Sequence, residues 1–370
     1  MLATAQIHQT QAIVCRPPQD GARTWVLEDV ALSAPAEDEV IVEMVATGIC
    51  HSDIRCGSGT DGEALLGLPP YPRVLGHEGA GVVKSVGSKV TKVKDGDRVL
   101  LSMSFCEECH CCKAGGPGFC KKWGQINMGG VKDAFSSLQN PGEAVGGSFF
   151  GQSSFSRLTR VKQCSVVRVT GLVDNDEELK LLAPLGCGIQ TGAGTMTKLA
   201  DAQPEDTVAV LGLGAVGLSG IMAAKIRGCR MIIAVDRVPS RLELAKSVGA
   251  THTINTSTIK GTLTEEVRGI TGGVGTTITM DASAAAPLIR QALEFTANQG
   301  KTFLLTTPPK DPVLQLDLSS LIFYIPTMIQ WYKDGEFPVE KLVKFYPAQD
   351  HLQAVKDMED GTTVKPILLW

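Results

Sequence analysis

The stretch from Val208 to Arg227 constrains the fold of this chain more than any other. Val208-Ala209-Val210-Leu211 reads as a buried strand, and Gly212-Leu213-Gly214-Ala215-Val216-Gly217 follows it directly. Ala215 to Arg227 then reads as a helix. A G-x-G-x-x-G match is weak alone, but a strand before it and a helix after it supply the context it needs. The first glycine permits a tight turn, the second lets a pyrophosphate approach the backbone, and the third allows close packing of helix on strand. The helix start favours an anion. Asp236 ends the next predicted strand, 19 residues beyond Gly217. A carboxylate there accepts hydrogen bonds from an adenosine ribose and repels a 2′-phosphate. NAD is therefore expected ahead of NADP, an inference that the adjoining Arg237 weakens slightly.

The alternation continues. Strands are expected at Met231 to Val235, Thr253-Ile254, Thr276 to Met280 and Thr302 to Leu305, and helices at Arg241 to Val248, Leu263 to Ile270 and Ala285 to Asn298. Such alternation indicates a parallel sheet with crossover helices. Before about residue 185 the pattern differs. Val40 to Ala46, Gly79 to Gly87 and Asp97 to Leu101 read as strands between Gly, Asp and Pro turns, which suggests a partly closed β domain. Ile325 to Trp370 reads as two helices and a terminal apolar strand.

With 370 residues the chain has room for two domains. Its net charge of −4 offers no basic surface for nucleic acid or an anionic membrane. Met1 to Arg16 lacks the charged and apolar runs of a secretory signal, and no apolar stretch of membrane-spanning length occurs. A soluble, cytoplasmic protein is expected.

The chain has 11 cysteines, and five of them (Cys106, Cys109, Cys111, Cys112 and Cys120) fall within fifteen residues. In a reducing compartment such crowding favours metal over disulfides. Cys106, Cys109, Cys112 and Cys120 can close a tetrahedral zinc site with no position left for water, a structural role; Cys111 is an alternative in poorer register. Cys50, His77 and Cys187 are dispersed, and spacing alone does not join them.

Taken together, GICHSD (48–53), GHEGAG (76–81), the Cys106 to Cys120 lobe, LGCGIQTG (185–192) and GLGAVG (212–217) resemble the zinc-containing medium-chain alcohol dehydrogenases. Gly147 to Phe155 and Lys341 to Tyr346 look most like the aryl-alcohol (benzyl-alcohol) members. The resemblance implies an α/β protein with a GroES-like, partly closed β-barrel catalytic domain over residues 1–187, its zinc lobe at 104–122. A doubly wound Rossmann domain over 188–324 and a C-terminal return over 325–370 complete it. It implies two zinc ions per chain and NAD(H), a small-molecule alcohol or aldehyde as substrate, and a homo-oligomer. Cys50, His77 and Cys187 would hold the catalytic zinc, with Glu78 beside it and Asp53 holding the His77 imidazole. Ser52 would take the substrate proton and pass it through the nicotinamide ribose. His51 would reach the pyrophosphate, Thr191 would lie near the nicotinamide and Arg241 near the adenosine ribose. Phe149, Phe150 and Phe155 are candidates for an aromatic pocket or for core.

Two departures stand out. Arg55 occupies the position where many relatives end the proton relay with histidine, and it cannot act as a base at ordinary pH. His51 or water is the expected exit instead. Leu316 to Tyr324 also runs almost directly into Ile325-Pro326, so the sixth strand of the Rossmann sheet is expected to be missing or shortened, which puts the usual dimer seam in doubt. A non-catalytic zinc- and nucleotide-binding scaffold is one alternative; a zinc-free quinone or enoyl reductase of the same fold is another.

Overall fold

The structure, a computed structural model, describes residues 7–58, 67–306, 332–335 and 338–370. The chain begins with a long antiparallel hairpin, Ile7–Gln19 with Ala22–Ser33. Asp20 and Gly21 turn it with φ of +49° and +75°. Both central residues of a type I′ turn need positive φ, and Asp-Gly is a favoured pair there. This hairpin, Val131–Ser137, Ala144–Gly147 and Arg73–Val74 close into a barrel. A second antiparallel sheet runs in the order Val166–Arg168, Arg98–Leu101, Gly79–Val86, Glu39–Thr47 and Leu158–Lys162. Residues 155–157 tie the two together: Ile13 N–H donates to Phe155 O, Arg157 N–H to Gln11 O and Met44 N–H to Arg157 O. One closed barrel beside one open sheet is the partly closed β domain expected.

The second half is a five-stranded parallel sheet ordered His252–Asn255, Met231–Asp236, Thr207–Leu211, Thr276–Asp281 and Thr296–Leu304. Its central strand, Thr207–Leu211, is buried at every position because helices cover both faces. Val208 and Val210 join Ile232 and Ala234 in one core. Ala209 and Leu211 join Ile233 and Val235 in the core on the other face. Full burial of each larger side chain is worth about 1.5–3 kcal/mol.

The predicted elements lie within a few residues of the observed ones, with one correction. The helix expected to reach Asn298 ends at Phe295, and a strand begins at Thr296. The Thr296 hydroxyl lies 2.6 Å from Thr279 Oγ1 on the neighbouring strand and 3.1 Å from Thr302 Oγ1, and these contacts draw the chain into the sheet early. Of the two C-terminal helices expected, one is His351–Glu359. It follows Val343–Pro347, which pairs in parallel with Lys365–Leu369. The helix expected from Ile325-Pro326 and the shortened stretch Leu316 to Tyr324 lie outside the described residues. Among the described residues no helix is long and apolar enough to cross a membrane.

Candidate active site

Cys50 caps the short helix His51–Cys56, and its amide donates to Asp53 Oδ2 at 2.8 Å. The other oxygen, Asp53 Oδ1, accepts from Gly76 N–H at 3.0 Å and lies 3.1 Å from His77 Nδ1. Asp53 is fully buried, so one carboxylate fixes two segments that are distant in sequence. With Nδ1 committed to Asp53, His77 Nε2 is left buried and, among the described residues, without a hydrogen-bond partner.

That orphaned nitrogen faces sulfur. One ligand atom each from Cys50, His77, Glu78 and Cys187 lies within 4.8 Å of the others. Cys50 Sγ and Cys187 Sγ are 4.0 Å apart, close to the ~3.8 Å between two sulfurs bound at about 2.3 Å to a tetrahedral zinc. Two thiols, a lone imidazole nitrogen and a nearby carboxylate fit zinc in geometry and in chemistry. The electrostatics agree. The Cys50 thiol is pulled down to about 3, first by its contact with Cys187 and then by His77, against the opposing effect of burial. Cys187 is pushed up by Cys50 and by burial, as expected when two close sulfurs share one negative charge. Burial would lower His77, but Asp53 and the Cys50 sulfur outweigh it and raise the imidazole to about 9. Burial and the Cys50 charge raise Glu78. Its carboxylate lies over Gly48, where an added Cβ would meet Oε2 at 2.1 Å.

Glycines also place Cys187. A Cβ on Gly186 would meet Leu101 O at 2.2 Å, and one on Gly192 would meet Val216 O at 1.9 Å. Cys187 therefore sits between the strand Arg98–Leu101 of the open antiparallel sheet on one side and the helix Ala215–Ile226, against which the helix Gly188–Gly194 packs, on the other. Thr191 lies on this helix, its hydroxyl donating to Cys187 O at 2.9 Å. Ser52 is half-buried with Oγ 3.9 Å from Cys50 Sγ; His51 and Arg55 are exposed.

The glycine turn has the geometry its sequence requires. Gly212 has φ of +85°, and a Cβ on Gly217 would meet Gly212 O at 1.9 Å. Around Gly214 there is open space. Leu213 is core, and its N–H donates to Asp236 Oδ2 at 2.8 Å. Ala215 and Val216 face Gly188. Asp236 Oδ1 accepts from Arg237 and Val238 amides, and Arg241 Nη1 lies 3.9 Å from Oδ2. Three amides leave about one of the carboxylate's four lone-pair sites for a ligand hydroxyl.

In the lobe, Cys106, Cys109, Cys112 and Cys120 gather into a second set, of four sulfurs, with Cys112 Sγ 3.9 Å from Cys106 Sγ and 3.5 Å from Cys109 Sγ. The Cys106 amide donates to Cys120 Sγ, and the Cys109 amide to Cys106 Sγ. Cys111 lies outside the set, with its Sγ 3.2 Å from His110 Nε2.

The three phenylalanines divide. Phe149 and Phe155 are core, whereas Phe150 is half-buried and stacks on the His77 ring, centroids 4.4 Å apart and planes 19° off parallel. Phe150 has φ of +50°, a left-handed conformation costing a non-glycine residue roughly 1–2 kcal/mol that its surroundings must offset. Trp123 meets its edge. The sequence reading missed Trp123; the only local signal is its position three residues after Cys120.

Comparison with known proteins agrees with this geometry. A family model described as the alcohol dehydrogenase GroES-like domain matches residues 36–169, and one described as zinc-binding dehydrogenase matches residues 215–331. A geraniol dehydrogenase from Castellaniella defragrans is 33% identical over 364 residues, 93% of this chain and 94% of the relative. Two solved structures are each 34% identical over 98% of this chain and 99% of theirs. One is an alcohol dehydrogenase zinc-binding domain protein from Burkholderia ambifaria, with a TM-score of 0.77. The other is benzyl alcohol dehydrogenase from Acinetobacter calcoaceticus, with a TM-score of 0.74.

Proposed function

The chain belongs to the zinc-containing medium-chain alcohol dehydrogenase family, and from that premise we propose that it interconverts aryl or allylic primary alcohols and their aldehydes. It is an oxidoreductase acting on alcohols, and zinc and NAD(H) are the cofactors typical of its family. Geraniol is an allylic and benzyl alcohol an aryl primary alcohol, and a half-buried Phe150 ring next to His77 suits either planar, unsaturated group.

The observation that carries the reading is His77 Nε2, buried, without a hydrogen-bond partner among the described residues, and grouped with the Cys50 and Cys187 sulfurs. Cys50, His77 and Cys187 would hold the catalytic zinc, and the four lobe cysteines a structural one. When bound, zinc supplies a Lewis acid that eases loss of an alcohol proton, and the nicotinamide accepts hydride. The remaining work belongs to the chain. Asp53 holds His77 Nδ1 so that Nε2 points inward. Ser52 Oγ takes the alcohol proton, and the exposed His51 hands it to solvent, a task Arg55 cannot perform. Glu78 keeps a carboxylate beside the ligands. Thr191 borders the nicotinamide and His51 the pyrophosphate. The turn at Gly212–Gly217 receives the pyrophosphate, and Asp236 with Arg241 the adenosine ribose; the Asp236 charge favours NAD over NADP. The protein would work in the cytoplasm as a homo-oligomer.

Metal analysis paired with a substrate panel tests this. Two zinc ions per chain and NADH formation from benzyl alcohol or geraniol are expected. Zinc-free protein, or no turnover with any alcohol or aldehyde, overturns it.

A further inference from the structure

The lobe and the active site are joined by aromatic rings. Trp123 begins the short helix Trp123–Asn127, and its amide donates to Cys120 O at 2.9 Å. Its indole N–H donates to Met103 Sδ at 3.1 Å, just ahead of Cys106 in sequence. Asn127, fully buried, exchanges hydrogen bonds with both backbone groups of Ser104. The two ends of the four-cysteine loop are thus clamped together, and Trp123 stands on the clamp. Its ring meets the edge of Phe150 at 5.6 Å and 82°, and Phe150 in turn lies flat on His77. Asp53 fixes His77 from the opposite ring nitrogen, but the left-handed Phe150 depends on its neighbours to stay in place.

We propose that Trp123 is a positioning residue through which the four-cysteine lobe holds Phe150 against the His77 ring and so sets the wall that an alcohol meets. The lobe then serves the reaction as well as the stability of the chain. Filling it orders both ends of the loop, because metal binding at such a site is coupled to local folding. Trp123 follows the lobe, and Phe150 follows Trp123. The inference rests on the alcohol dehydrogenase reading for its kinetic consequence, though not for the link between lobe and indole.

Two experiments separate those parts. In a Cys50→Ala background, which leaves the lobe intact, zinc added to the metal-free chain is expected to change tryptophan emission. That change should vanish in Cys50→Ala/Trp123→Phe; its persistence there would overturn the link whether or not the enzyme turns over. Kinetically, Trp123→Leu is expected to raise KM for benzyl alcohol about threefold to tenfold, the scale of one aromatic pair, with little change for a small aliphatic alcohol. Trp123→Phe should restore most of the loss. Trp123→Leu added to Phe150→Leu should cost little more than Phe150→Leu alone, because both act through one contact. Multiplying effects, or a benzyl-to-aliphatic ratio unmoved by Trp123→Leu, would refute the proposal. Wild-type protein that turns over no alcohol would instead refute the functional reading and leave the emission experiment to decide the link.

Discussion

Asp53 Oδ1 lies 3.1 Å from His77 Nδ1, while Oδ2 of the same carboxylate accepts the amide of Cys50 at 2.8 Å. One buried side chain therefore sets the orientation of two groups of the candidate metal site that lie 27 residues apart in sequence. Asp53→Asn keeps the shape and weakens the pairing. Metal affinity and kcat/KM are expected to fall by about tenfold to a hundredfold, with the fold retained. Zinc content after dialysis against a chelator, measured with circular dichroism, checks this; unchanged retention would count against the role given to Asp53.

Gly192→Ala places a methyl 1.9 Å from Val216 O and 2.9 Å from Gly220 N, both backbone atoms. The helices must separate, at a cost of about 1–3 kcal/mol. A lower Tm and weaker NADH binding are expected together, because the same displacement moves the glycine turn. Calorimetry and NADH fluorescence titration measure the two.

Asp236→Asn removes a charge but keeps an acceptor. The loss of one charge-assisted hydrogen bond to a ribose hydroxyl is worth about 1.5 kcal/mol or more, roughly tenfold in affinity for NAD. NADP, freed from repulsion, should lose less, so the ratio of kcat/KM values narrows. A ratio that stays fixed would show that Asp236 serves only its three backbone partners.

Asp97 offers a test of pH dependence away from the metals. Burial opposes its ionisation, but the Lys94 amide, Arg168 and Thr170 outweigh it and hold the carboxyl below its ordinary value. A depressed folded-state value means the contribution is present above the unfolded value, near 3.8, and is lost as pH falls through the folded one. Acid unfolding should therefore steepen below about pH 4 in the native chain. In Asp97→Asn that limb should flatten, as followed by urea midpoints across the acid range.

Much of this architecture can be read from the chain because local rules and global fold agree. The strand, glycine turn and helix from Thr207 to Ile226 lie where hydrophobic pattern and turn chemistry put them. The helix Leu263–Ile270 has the expected bounds, its start marked by the Thr262 and Glu265 capping box. Residue pattern fails where the decision is tertiary. Nothing local at Thr296 announces that its hydroxyl will pair with Thr279. Asp20-Gly21 was a legible hairpin signal that the strand reading passed over. The site divides in the same way. The lobe cysteines are neighbours in sequence, so spacing alone gathers them. Cys50, His77 and Cys187 lie on three segments far apart in sequence and come together only in the folded chain, and family resemblance supplies what spacing cannot. The Phe150 ring on His77 follows from a left-handed backbone that no pattern of apolar residues encodes.

Gly186 and Gly192 stand on either side of Cys187, one against the Leu101 carbonyl and the other against that of Val216. Neither contact has room for a side chain, so neither has slack. A relative movement of the two halves could not hinge at this cysteine. It would have to bend the chain elsewhere. Seated between two such contacts, the Cys187 sulfur has its position set by both halves of the chain at once.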